Sequence, residues 1–364
     1  MECMTNFLAL TNRTCLAPLL PAVAAIAALS ACQTSEIKAN PDLLPVVTSN
    51  APGRHDHSLT VDGQDRKTIV YVGAPAQQID APVVLVLHGT SQDGEKFYAD
   101  SRWREQADAV GLIAVFPTAL QYCYKEDENG DGDFDDPGEL RVSTKWTNGK
   151  LGQEDGYPLC TPEELAKLPA DRQALVDHPL LDDVAFIDAQ LALLASAYRI
   201  DAKRVYVTGF SNGASFTSRL VQERSLVFAA AAIGSGSLAV DPQLAPRPMS
   251  ALQWLGSKDD RFVPVGVELV VGPNLLSDYP LLHDRMVVPM LTVLGLADVP
   301  VYSSRPLGNR TVATFTYSTS KNGSGNHYSF SVIEGMYHIY PSGTPAGLVA
   351  AEVAWELFEG EALP

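Results

Sequence analysis

The segment Thr208-Gly209-Phe210-Ser211-Asn212-Gly213-Ala214 constrains this chain more than any other. Before it lies Arg204-Val205-Tyr206-Val207-Thr208, which reads as a buried strand, and after it a helical stretch over 214–223. A glycine stands two residues from Ser211 on either side, where the absence of a side chain lets a strand turn sharply into a helix. A serine hydroxyl is a weak nucleophile at neutral pH. A fold that uses one must therefore expose it on such a turn, beside a base and facing hydrogen-bond donors.

The rest of the chain supplies the sheet that this turn needs. Pro82-Val83-Val84-Leu85-Val86-Leu87 is an unbroken apolar run ending at His88-Gly89, as expected of a central strand buried on both faces. Residues 57–72 alternate around Val61-Asp62-Gly63-Gln64 and predict an edge hairpin. A helix over 103–110 and a strand over 112–116 closed by Pro117 come next. The amphipathic span 182–198 has apolar residues at Val184, Ile187, Leu191, Leu194 and Ala195. Further strands are expected over 228–233, 249–255 and 330–333. Strands alternating with helices call for a mostly parallel sheet with helices on both faces. The stretches 121–179 and 265–328 read as insertions or caps, since neither has enough apolar pattern for a core of its own.

On this scaffold an acid and then a histidine should follow the nucleophile, each on a loop after a later strand. Leu255-Gly256-Ser257-Lys258-Asp259-Asp260 offers Asp259 as the acid, with Asp260 as its alternative. His338 in Gly335-Met336-Tyr337-His338-Ile339-Tyr340-Pro341 is the base by chain order, with His283 and His327 as competitors. Backbone N–H groups of Thr90 and Asn212 are the expected oxyanion donors, Ser91 being the alternative to Thr90. His88 reads as structural. Trp146 is a candidate substrate contact or a core residue, Trp103 and Trp254 read as core, and Asp183 as the cap of its helix.

Taken together, His88-Gly89, Asp182-Asp183-Val184-Ala185-Phe186, the turn at Ser211, Gly-x-x-Asp at Asp259 and Gly-x-x-His-x-x-Pro at His338 resemble the polyhydroxybutyrate depolymerase and feruloyl esterase group of α/β-hydrolases. The resemblance runs over residues 83–341. It implies an α/β-hydrolase fold, secretion, and hydrolysis of carboxylic esters in extended substrates by a Ser-His-Asp triad, with no cofactor for catalysis. Ala214 stands where the group often has Gly, and Tyr340 where Trp is common; these departures bear on the substrate, not the reaction.

A net charge of −17 argues against nucleic-acid partners, which need clustered Lys and Arg. Residues 16–30 have the length and composition of a signal-peptide core, ending in Leu29-Ser30-Ala31-Cys32, which resembles a lipobox. That reading makes residues 1–31 a signal peptide, Cys32 the lipidated residue, 32–52 a flexible tether and 53–364 the catalytic domain, a monomer anchored at the cell envelope (the outer membrane) or secreted. Of five cysteines, Cys123 and Cys160 then stay in the exported domain and invite one disulfide, two free thiols being the alternative. Asp127, Asn129, Asp131, Asp133 and Asp135, with Gly132 sixth, have the spacing of a Ca2+ loop, although Glu139 falls one residue late for the last ligand.

The sequence thus predicts a serine esterase acting on polyesters or oligoesters of the polyhydroxyalkanoate or polylactide kind. The alternatives are a feruloyl or acetyl esterase acting on plant polysaccharide, and an inactive binding lipoprotein on a hydrolase scaffold.

Overall fold

In the computed structural model, which describes residues 49–127, 133–134, 138–264, 266–343 and 347–364, strands β1 (Gly53–Val61) and β2 (Gln64–Val72) form the expected hairpin. Asp62 and Gly63 both take positive φ, 50° and 78°, so the two-residue turn has the hand that matches strand twist. β3 (Ala81–Leu87) is buried along its whole length, as its unbroken apolar run requires. Its side chains divide by parity: Val83, Leu85 and Leu87 enter one core, Val84 and Val86 the other.

The remaining sheet strands are β4 (Ile113–Pro117), β7 (Ile200–Phe210), β8 (Ala230–Gly234), β9 (Ser250–Gly256), β10 (Val301–Leu307), β11 (Arg310–Tyr317) and β12 (Tyr328–Ile333). Their order across the sheet is β1-β2-β4-β3-β7-β8-β9-β12-β11-β10, parallel from β4 through β12 and antiparallel at both margins. Helices α1 (Gly94–Asp100), α2 (Trp103–Val110) and α10 (Ala350–Phe358) cover one face. α5 (Asp183–Ala197), α6 (Asn212–Glu223) and α9 (Val288–Leu294) cover the other. With the serine turn between β7 and α6, this is the α/β-hydrolase fold.

The insertion at 121–179 is a hairpin, β5 (Gln121–Lys125) and β6 (Leu140–Thr144), followed by the short turns α3 (Pro162–Leu165) and α4 (Ala170–Gln173). Cys123 on β5 is bridged to Cys160, stapling the hairpin to the segment after it. The second inserted stretch departs from expectation. Its first part holds α7 (Leu275–Asp278), α8 (Pro280–Leu282) and α9, but its second part is β10 and β11, which extend the main sheet. The loop between them is Gly308-Asn309, a hairpin signal at the centre of two strand-like runs.

The expected tether is likewise docked at its end. Asn50 is buried, donating from Nδ2 to Ala76 O and Arg199 O and accepting from Arg199 N–H. The expected signal segment and Cys32 lie outside the described residues, as do Asn129, Asp131 and Asp135 of the acidic loop. Among the described residues no helix is long and apolar enough to cross a membrane, and no cluster of His, Cys, Asp and Glu could hold a metal.

Candidate active site

Ser211 sits between β7 and α6 with φ 54° and ψ −120°, a conformation that costs a non-glycine residue energy and lifts its side chain off the strand line. The flanking glycines are there because the chain folds back on itself. A Cβ at Gly209 would stand 2.3 Å from Gly213 O, and one at Gly213 would stand 2.4 Å from His88 O. Packing this close leaves Ser211 at the end of the sheet where the loops after β3, β8, β9 and β12 converge.

His338, after β12, brings Nε2 to 2.9 Å from Ser211 Oγ. Its Nδ1 lies 2.9 Å from Asp259 Oδ1 and 3.0 Å from Oδ2. Since the carboxylate can only accept, Nδ1 carries the proton and Nε2 is left to accept from the serine hydroxyl. Asp259 is wholly buried while Asp260 is exposed, so the choice between them falls on Asp259. The two loops are tied together: Gly335 N–H donates to Ser257 Oγ and Lys258 N–H to Met336 O. His283 and His327 are engaged elsewhere, with Asp298 and Ser250.

The donors opposite Ser211 can be found by elimination. Gly89 N–H is held by Gln92 Oε1, Ser91 N–H by Thr144 O and Ser211 N–H by Gly234 O. Thr90 N–H has no partner among the described residues, and Asn212 N–H opens α6, where no helical carbonyl precedes it. Thr90 and Asn212 both line the cleft. His88 is buried beneath this loop: Nδ1–H donates to Gly89 O and Nε2 accepts from Ala119 N–H. Burial pushes its pKa down to about 4, so it is a neutral brace at neutral pH.

Trp146 does not line the cleft, which corrects its expected contact with substrate. It is fully buried, stacked on Phe216 and donating from Nε1 to His88 O. Its backbone does the positioning: Trp146 N–H donates to Asn212 Oδ1, and Asn212 Nδ2 donates to Trp146 O. Asp183 departs from expectation too, because Asp182 is the residue that caps α5 at Val184 N–H. Asp183 instead pairs with buried Arg66 and accepts from Thr147 N–H and Oγ1, fixing the segment beside Trp146.

The cleft has a volume of about 1020 Å³, and eight charged side chains among the described residues line it. Two of its residues had no motif to announce them. Ser235, directly after β8, has φ 51° and lines the cleft with a buried Oγ that has no hydrogen-bond partner among the described residues. Lys145 is the other. Gly234-Ser235-Gly236 reads as any small-residue turn, and a lysine after a short strand as any surface charge.

No family model matches the chain. A bifunctional acetylxylan esterase/xylanase (XynS20E) of Neocallimastix patriciarum is 24% identical over 192 residues, covering 52% of this chain and 21% of that protein. The chain therefore spans about a fifth of the length of the curated relative it matches. Among solved structures, an acetyl xylan esterase from Aspergillus awamori gives a TM-score of 0.48 at 15% identity, covering 84% of this chain and 99% of that one. An S-formylglutathione hydrolase from Agrobacterium tumefaciens gives 0.48 at 13% identity, with 86% and 98% covered. The Bacillus cereus carboxylesterase gives 0.41 at 13%, with 81% and 94% covered.

Proposed function

We propose that the chain is a carboxylic ester hydrolase with Ser211 as nucleophile, His338 as general base and acid, and Asp259 as the group that orients and stabilises the imidazolium. The observation that carries this is the continuous relay from buried Asp259 through His338 to Ser211, in a cleft also lined by Thr90 and Asn212, whose backbone N–H groups are unengaged among the described residues. Ser211 Oγ attacks the ester carbonyl carbon as its proton passes to His338 Nε2. The carbonyl π electrons move onto oxygen, where Thr90 and Asn212 N–H meet the charge. The carbonyl re-forms, the alkoxide leaves with the proton from His338, and the acyl group stays on Ser211. Water, deprotonated by His338, then repeats the attack, and Ser211 departs with its proton restored.

For the substrate, the likeness to polyhydroxybutyrate depolymerases supports a polyester or oligoester. The polar wall of the cleft favours a second reading, an acetyl or feruloyl ester on polysaccharide, which is in line with the acetylxylan esterase part of the curated relative's name. Hydrolysis of polylactide and polyhydroxybutyrate emulsions beside acetylated xylan separates the two. The activity itself is tested with p-nitrophenyl butyrate: Ser211→Ala is expected to be inactive, and persistent hydrolysis by the purified variant contradicts the assignment. We also propose that Cys32 is lipidated and that the acidic loop holds a structural Ca2+. Lipidation of Cys32 predicts incorporation of labelled palmitate that Cys32→Ser abolishes, and a structural Ca2+ at the acidic loop predicts a lower melting temperature in chelator.

A further inference from the structure

Lys145 occupies an unusual place for a cation. It follows β6 directly, between Thr144, whose carbonyl holds Ser91 N–H, and Trp146, whose backbone holds the Asn212 side chain. The lysine thus stands between the anchors of the two elements that supply the oxyanion donors. It is only 2% exposed, yet it lines the cleft that holds Ser211. Its Nζ lies 3.2 Å from the ring centroid of Tyr157 and 4.3 Å from that of Tyr124, with no hydrogen-bond acceptor or carboxylate partner among the described residues. Both rings line the same cleft.

A buried charge ordinarily finds a counter-charge in the protein, because removing it from water costs more than aromatic faces return. Glu126, whose charge acts on Lys145, is itself paired with Arg141 and Arg261, at 3.8 and 3.6 Å, and Asp155 in the same cleft is paired with Lys150. Arg261 and Arg285 also reach the cleft. Among the described lining residues five are Lys or Arg and three are Asp or Glu, in a chain of net charge −17. A local cationic wall in so acidic a protein draws anions to one place.

On the reading of Ser211 as an ester-hydrolysing nucleophile, we infer that Lys145 receives a carboxylate carried by the substrate, so that the enzyme cleaves anionic esters in preference to neutral ones of the same size. An ammonium held in place by two rings, with no carboxylate in hydrogen-bond contact among the described residues, is preorganised for a charge-assisted hydrogen bond. Half-esters of dicarboxylic acids carry this group on the acyl side, and esters of hydroxy acids carry it on the alcohol side.

The test compares kcat/KM for two matched pairs, with uncatalysed rates subtracted. Mono-4-nitrophenyl glutarate against 4-nitrophenyl valerate reads the acyl side, and 3-acetoxybenzoate against phenyl acetate reads the alcohol side. In at least one pair the anionic ester should be favoured by about tenfold, and Lys145→Gln should lower that ratio by about tenfold. Lys145→Arg should retain a preference. Both esters of a pair are assayed on one preparation, so the ratio does not depend on how much of a variant is folded. The inference is overturned if the wild type favours neither anionic ester, or if Lys145→Gln leaves the ratio where it was. If Ser211→Ala hydrolyses these esters at the wild-type rate, the nucleophile assignment falls instead; if it is inactive and the ratio is unmoved, only the role of Lys145 falls.

Discussion

The two walls of the cleft are built on different principles. On the Ser211 side, the sheet places everything: β7, β8, β9 and β12 are consecutive parallel strands, and backbone hydrogen bonds and close-packed glycines set the distances. On the Lys145 side, the wall comes from an inserted hairpin, held by one disulfide, by the buried Arg66–Asp183 pair and by side chains that grip Thr147 and Trp146. On the proposed reading, the first wall carries chemistry that needs fixed geometry. The second is attached to it, and an attached wall can change its chemistry without disturbing the relay. On the proposed reading, the reaction belongs to the sheet-borne wall and selectivity to the inserted one.

That comparison breaks most sharply at the relay. Ser211→Ala should lower kcat/KM for p-nitrophenyl butyrate by roughly ten-thousand-fold or more, leaving the fold intact by circular dichroism. Asp259→Asn should cost on the order of ten-thousand-fold through the wrong imidazole tautomer, while exposed Asp260→Asn should stay within about threefold. Equal losses at the two aspartates would undo the assignment.

Next in size come the supports of the second wall. Asp183→Ala leaves Arg66 buried and unpaired, and urea unfolding should show a loss of about 3–5 kcal/mol. Replacing Cys123 and Cys160 together by Ser should cost about 2–4 kcal/mol, and should lower the anionic-to-neutral ester ratio as the Lys145 wall loosens. A ratio unchanged in the disulfide-free protein would show that the bridge does not hold Lys145 in place.

The smallest effect is a pH dependence. Burial pushes Lys145 down to about 8; Glu126 opposes the shift and Arg261 and Arg141 add to it. The flanking phenols are raised by burial, Tyr124 to about 12, and stay neutral at neutral pH. The ammonium is therefore present below about pH 8 and lost above it. Any preference for anionic esters should be full near pH 6–7 and fade as pH rises through about 8. A ratio constant to pH 10 would remove Lys145 as its source.

What could be read from the sequence follows the same division. Ser211, Asp259 and His338 were legible because each must follow a strand, in one chain order, at a turn with small residues. The β1–β2 hairpin is legible through Asp62-Gly63, but Gly308-Asn309, an equally direct signal, lies inside a stretch whose sparse apolar pattern reads as an insertion or cap. Trp146 is adjacent to the site in sequence and holds it through its backbone, which residue type cannot reveal. Asp183 gave way to Asp182 as the cap because the one-residue offset decides which carboxylate reaches a helix N–H and which faces Arg66. Lys145 and Ser235 have meaning only through what surrounds them, two tyrosine faces in one case and a left-handed backbone in the other.

The central claim is that Ser211 is the nucleophile of an ester hydrolase, and covalent trapping tests it directly. The purified protein treated with a p-nitrophenyl alkylphosphonate should lose activity as one equivalent of nitrophenol is released. Peptide mass spectrometry should find the phosphonyl group on Ser211 alone, and none on the Ser211→Ala protein. An adduct on Ser235, or one that survives the loss of Ser211, would contradict the account.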